Sequence, residues 1–185
     1  MSPTAQLPGQ PFLAYKGDAL YVEGAALASL AQDHGTPLFV YSKAAMLSAL
    51  AAYQRGFAGR NAQICYAMKA NSSLGILQVF ANAGCGFDIV SGGELERVMA
   101  AGGDTAKVIF SGVGKTRAEM HQALKAGIGC FNVESEAELD VLSSVALGMG
   151  LIAPVSIRVN PNVDPKTHPY ISTGLKGSKF GVAHD

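Results

Sequence analysis

Five short apolar runs, at about residues 62–68, 86–90, 107–110, 129–133 and 154–159, are separated by segments of helical length, so a strand–helix unit recurs every twenty-odd residues. Strands joined in this way run parallel and are covered by their connecting helices. Two architectures satisfy the repeat, a (β/α) barrel and an open doubly wound sheet, and both carry their site at the carboxyl ends of the strands. Helix starts fall in phase with it: Ser91/Glu94, Thr116/Glu119 and Ser135/Glu138 each fit the S/T-x-x-E capping box just after a strand. Capping is the plain reading of all three glutamates and the preferred one for Glu119 and Glu138.

The chain before the repeat has another texture. Phe12 to Tyr15 and Ala19 to Val22 read as strands around a Lys16-Gly17-Asp18 turn, and this hairpin stands apart from the rest of the chain. Ala25 to His34 reads as a helix closed by Gly35, Pro37 to Tyr41 as a strand, and Lys43 to Gly56 as a second helix.

Composition narrows the function classes. With 185 residues, 49% of them hydrophobic, the chain can bury a core. Its 14 basic residues balance 14 acidic ones, so no overall field draws it to nucleic acid or an anionic membrane, and small-molecule chemistry or protein partners are favoured. Residues 1–11 lack the basic and apolar regions of a leader, and no apolar run approaches the roughly 20 residues of a membrane span. A soluble cytoplasmic protein is expected. Cys65, Cys85 and Cys130 are odd in number, widely spaced and without a CxxC pair, which suggests small buried thiols rather than disulfides or a zinc site.

Gly112-Val113-Gly114-Lys115-Thr116 looks like a phosphate-binding loop, but Ile109 stands where the first glycine of G-x-x-x-x-G-K-[ST] is needed, and Arg117 breaks G-x-G-x-x-G. The nucleotide-binding reading loses its support and the barrel gains. Lining up the carboxyl ends of the strands gives Lys69, Asp88 with Ser91, Ser111, Glu134, and Arg158 with Asn160. An amine, a carboxylate and a guanidinium at one mouth suit a carbonyl cofactor bearing anionic groups. Lys69 shares strand parity with the small Cys65 and Ala67, so its stem is expected to enter open space inside the fold. Desolvation there lowers a lysine's pKa from about 10.4 toward neutrality and frees the amine to attack a carbonyl. Plainer roles stand beside these: a surface lysine, Asp88 capping the next helix, Arg158 paired with Asp88. From Pro161 to Gly174 three prolines and little periodicity indicate a long lid-like loop at the mouth. His168, within it, has no second ligand nearby to suggest a metal.

Tyr66-Ala67-Met68-Lys69-Ala70-Asn71, Gly86-Phe87-Asp88-Ile89-Val90-Ser91-Gly92-Gly93-Glu94-Leu95, Phe110-Ser111-Gly112-Val113-Gly114-Lys115-Thr116, Phe131-Asn132-Val133-Glu134-Ser135, Arg158-Val159-Asn160-Pro161-Asn162-Val163-Asp164, the stretch Thr167 to Gly174 and Lys179-Phe180-Gly181 run through most of the chain. With these residues the chain resembles the alanine racemase-like, fold type III pyridoxal phosphate enzymes, and within them the diaminopimelate decarboxylase family. The first motif marks the wider group; Thr167 to Gly174 and Lys179 to Gly181 are the specific signal.

The resemblance implies an α/β fold, a (β/α)8 TIM-type barrel with about five of its eight βα units present over residues 37–185. Residues 1–36 would contribute the hairpin to a separate β-domain. It implies pyridoxal 5'-phosphate attached to Lys69, with Asp88 and Arg158 binding the cofactor and Tyr170 and Ile171 lying over the site as a substrate lid. The activity implied is loss of CO2 from the D-configured centre of meso-2,6-diaminopimelate, giving L-lysine, in a homodimer. Later family elements have no counterpart here, among them the histidine stacking on the ring, the glycine-rich phosphate loop and the acid facing the pyridine nitrogen. The chain is therefore expected to be an amino-terminal portion, inactive alone, with exposed sheet edges. Two alternatives are a decarboxylase or racemase of another basic amino acid, and a non-catalytic pyridoxal phosphate-binding protein, which the hairpin and the missing final strands argue against.

Overall fold

The computed structural model describes residues 9–164, 166 and 180–183. The chain divides into two compact units, Met1–Ala62 and Gln63–Asp185.

In the first unit, β1 (Leu13–Lys16), β2 (Ala19–Val22) and β3 (Ala25–Ala26) form an antiparallel sheet in that order. Lys16 pairs with Ala19, leaving Gly17 and Asp18 as a tight two-residue turn. Helix α1 (Leu27–His34) ends at Gly35, whose N–H donates to the Ala31 carbonyl, and α2 (Lys43–Gly56) begins at Ser42, whose hydroxyl accepts from Ala45 N–H. The Glu23 carboxylate accepts from Ser42 Oγ at 2.7 Å and from Ala44 N–H at 2.9 Å. These bonds, the hydroxyl's first, hold it below the usual glutamate range.

One expected strand differs. Pro37 to Tyr41 joins no ladder among the described residues, and Phe39 is 83% exposed. Extended apolar sequence becomes a strand only where a neighbour takes up its N–H and C=O groups.

The second unit is the expected repeat. Strands β4 (Cys65–Ala67), β5 (Gly86–Ile89), β6 (Val108–Phe110), β7 (Cys130–Val133) and β8 (Val155–Ile157) form one parallel sheet in sequence order. Helices α3 (Leu74–Asn82), α4 (Gly92–Ala100), α5 (Arg117–Ala126) and α6 (Glu136–Met149) connect them, each packing on the next. A sheet wound in sequence order with its helices side by side has the winding of a barrel; a doubly wound sheet reverses its strand order. Short parallel strands β9 (Val159–Asn160) and β10 (Val182–Ala183) pair just beyond β8.

Register separates the two faces. Phe87, Ile89, Val108, Phe110, Phe131 and Val133 share the helix-covered face and are 0–1% exposed, as are Leu77, Leu95, Val98, Met120 and Leu142 of the helices. Burying a side chain of this size contributes about 1.5–3 kcal/mol. The other face carries Cys65, Ala67, Asp88, Ile109, Cys130 and Asn132, all half-buried, and it is where the chemistry-bearing residues stand.

Candidate active site at the carboxyl ends of the parallel strands

Lys69 lies in a one-turn 3-10 helix, Met68–Ala70, that follows β4 and packs against β5. The strand stops at Ala67, so parity does not carry Lys69 inward. Met68 takes the buried position at 0% exposure and Lys69 is exposed. The expected burial of this side chain is therefore not found. Its position is favourable in another respect: Ala67 pairs with Asp88, and among the described residues no hydrogen bond or ion pair occupies the Lys69 amine.

Asp88, half-buried on β5, does not cap the following helix; Ser91 does, accepting from Glu94 N–H. Ser111 Oγ, just past β6, donates to Asp88 Oδ1 at 2.5 Å and accepts from Asn132 Nδ2 of β7 at 3.0 Å, so a chain of hydrogen bonds fixes the carboxylate. Arg158 pairs with Glu134 rather than with Asp88. Its NH1 donates to Glu134 Oε2 at 2.9 Å, and its guanidinium carbon lies 4.8 Å from the Phe180 ring centroid. Glu134 is 3% exposed, and its other oxygen accepts Gly112 N–H at 2.9 Å. Tyr170, Ile171 and His168 lie outside the described residues.

Glu119 completes a capping box with Thr116 and also accepts Gly92 N–H at 2.9 Å. That bond first, then those from Thr116, holds it below the usual glutamate range. Glu138 departs from the capping expectation. Ser135 accepts from Glu138 N–H, but the Glu138 carboxylate turns away, accepting from Glu134 N–H at 3.1 Å and Lys115 Nζ at 2.7 Å. Lys115 has no role in the sequence reading once the phosphate-loop pattern fails at Ile109. Its side chain is 0% exposed, and it also donates to Gly112 O at 2.7 Å and Asn132 O at 2.8 Å. No local spacing marks this contact, since its partners lie 17 and 23 residues away.

Burial raises the pKa of all three thiols, Cys65, Cys85 and Cys130. Among the described residues no cluster could hold a metal ion, and no helix is long and apolar enough to cross a membrane.

Residues 43–185 match the family described as pyridoxal-dependent decarboxylase, pyridoxal binding domain. Diaminopimelate decarboxylase of Pseudomonas aeruginosa is 58% identical over 171 residues, covering 92% of this chain and 41% of that protein. Two crystal structures with L-lysine are similar in fold as well. Diaminopimelate decarboxylase from Helicobacter pylori has a TM-score of 0.81 at 48% identity, over 85% of this chain and 40% of that one. The M. jannaschii enzyme has a TM-score of 0.86 at 38% identity, over 94% and 42%. The chain thus spans about two fifths of the length of the relatives it matches.

Proposed function

Because this chain belongs to the pyridoxal-dependent decarboxylases, by its match over residues 43–185 to their pyridoxal binding domain, we propose that it holds pyridoxal 5'-phosphate on Lys69 and serves the decarboxylation of meso-2,6-diaminopimelate to L-lysine. The observation that carries this reading is an exposed amine, unoccupied among the described residues, beside a strand whose carboxylate is fixed in orientation. The donor set fits the cofactor: an amine for its aldehyde, a carboxylate for a polar ring substituent, and a guanidinium, with donors beyond the one given to Glu134, for an anionic group.

When bound, pyridoxal phosphate supplies the electron sink that takes up the pair left by departing CO2. The residues of this chain bind and orient. Lys69 is the covalent anchor and, once released, a base or acid at the reacting carbon. Asp88 is held by Ser111 and Asn132 and presents one fixed face to the cofactor. Arg158, held by Glu134 and stacked on Phe180, presents a cation. Tyr170 and Ile171 are proposed to close over the substrate and exclude water. The same reading takes residues 1–36 as part of a β-rich domain, residues 37–185 as barrel, and the working enzyme as a cytoplasmic homodimer with a small amino-acid substrate.

The relatives' names and the L-lysine in two of their structures support diaminopimelate over other basic amino acids. A chimera tests it, with these residues replacing the matched segment of the P. aeruginosa enzyme. CO2 release from meso-diaminopimelate should exceed that from ornithine or arginine by orders of magnitude, and Lys69→Ala should abolish it. A folded chimera preferring ornithine or arginine, or one active without Lys69, contradicts the proposal.

A further inference from the structure

We propose that Lys115 and Glu138 are positioning residues, a buried ion pair that sets where the Asp88 carboxylate and the Arg158 guanidinium stand. The inference rests on the cofactor reading above and adds to it two residues that touch neither cofactor nor substrate.

Three observations carry it. The Lys115 ammonium has all three of its donors committed, to Gly112 O, Asn132 O and Glu138 Oε1, with its side chain 0% and that of Glu138 9% exposed. A lysine so enclosed is costly where two apolar side chains could fill the same volume. Secondly, the two polar chains of the site meet at the loop that Lys115 grips. Ser111 holds Asp88 through its hydroxyl, while Gly112, the next residue, gives its N–H to Glu134 and its carbonyl to Lys115. Gly112 stands at φ 98°, a conformation that other residues rarely adopt, so this loop has one shape to keep. Thirdly, Glu138 bonds the backbone N–H of Glu134, whose carboxylate anchors Arg158. One ion pair therefore reaches both chains, Asp88 by way of Ser111 and Asn132, Arg158 by way of Glu134.

The test uses the 185-residue chain, pyridoxal phosphate as the probe, and five variants: Lys115→Met, Lys115→Met with Glu138→Gln, that pair with Arg158→Ala, Arg158→Ala alone, and Lys69→Ala. The paired variant removes both charges yet keeps an acceptor for Glu134 N–H, so its fold should survive where the single variant's does not. Thermal melting reads the fold, absorbance titration reads cofactor affinity, and borohydride trapping with mass spectrometry reads attachment. The paired variant should melt cooperatively and still label Lys69 at saturation. Its affinity should fall on the order of tenfold, as when supporting residues of a bound group are removed. Adding Arg158→Ala to it should cost less than the sum of the two separate losses, since part of the pair's effect passes through that guanidinium. Wild-type affinity in the folded paired variant, or costs that simply add, overturns the positioning role. So does loss of cooperative melting in the paired variant, which would assign the pair to stability alone. Failure of the cofactor reading looks different: the unmodified chain then labels away from Lys69 or not at all, and the inference falls with it.

Discussion

Glu134 has both carboxylate oxygens committed, one to the Gly112 N–H and one to Arg158, at 3% exposure. Truncation by Glu134→Ala should orphan that N–H at a cost of about 1–3 kcal/mol and release the guanidinium; chemical denaturation reads the first effect. Glu119 makes a different prediction, in pH. Its folded-state pKa is lowered, mainly by the Gly92 and Thr116 N–H bonds. Its contribution is therefore fully present above the unfolded value of about 4.3 and lost as pH falls through the lower folded one. Melting temperature should fall below about pH 4.3 less steeply in Glu119→Gln than in the parent; equal slopes would contradict this. The sequence revealed these residues unevenly. Thr116 and Glu119 were legible because a capping box is local. Lys115 and Glu138 were not, because their contact is made by the turn of the fold and not by spacing. Lys69 was legible as a residue type at a strand end, but its exposure depends on where the strand breaks.

Among the elements, the strand repeat was legible because it needs only an apolar run and a helical spacer, and all five strands appear where expected. Pro37 to Tyr41 shows the converse, since an extended run is a strand only with a neighbour, which no local pattern supplies. The short β10 strand and the residues before it explain why Phe180 and Gly181 stand as they do. Phe180 lies against Arg158, and Val182 N–H donates to the Arg158 carbonyl at 2.7 Å. Gly181 has φ 79°, and a Cβ there would meet the Arg158 carbonyl oxygen at 2.9 Å. Gly181→Ala should therefore cost on the order of 1–3 kcal/mol and unseat Phe180, read as a lower melting temperature and weaker cofactor binding. Replacing the helix caps Ser91 or Ser135 by Ala should cost about 1 kcal/mol each.

At the scale of the whole molecule, the parallel sheet has a buried helical face and a half-buried one that carries Asp88 and Asn132, with strands β4 and β8 at its edges. Val155 and Ile157 of β8 are 45% and 55% exposed, and nearby Ile152 is 94% exposed. An apolar strand edge of this kind invites pairing with another chain. The 185 residues alone should self-associate with rising concentration, and Ile157→Lys should reduce that in light scattering. On the proposed reading this half-buried face holds the cofactor, with Lys69 as its anchor. Incubation of this chain with pyridoxal phosphate, borohydride reduction and mass-spectrometric mapping decides whether that amine is the one that reacts. One stoichiometric adduct on Lys69, absent in Lys69→Ala, is the predicted result. Label scattered over many lysines, or unchanged in Lys69→Ala, would contradict it.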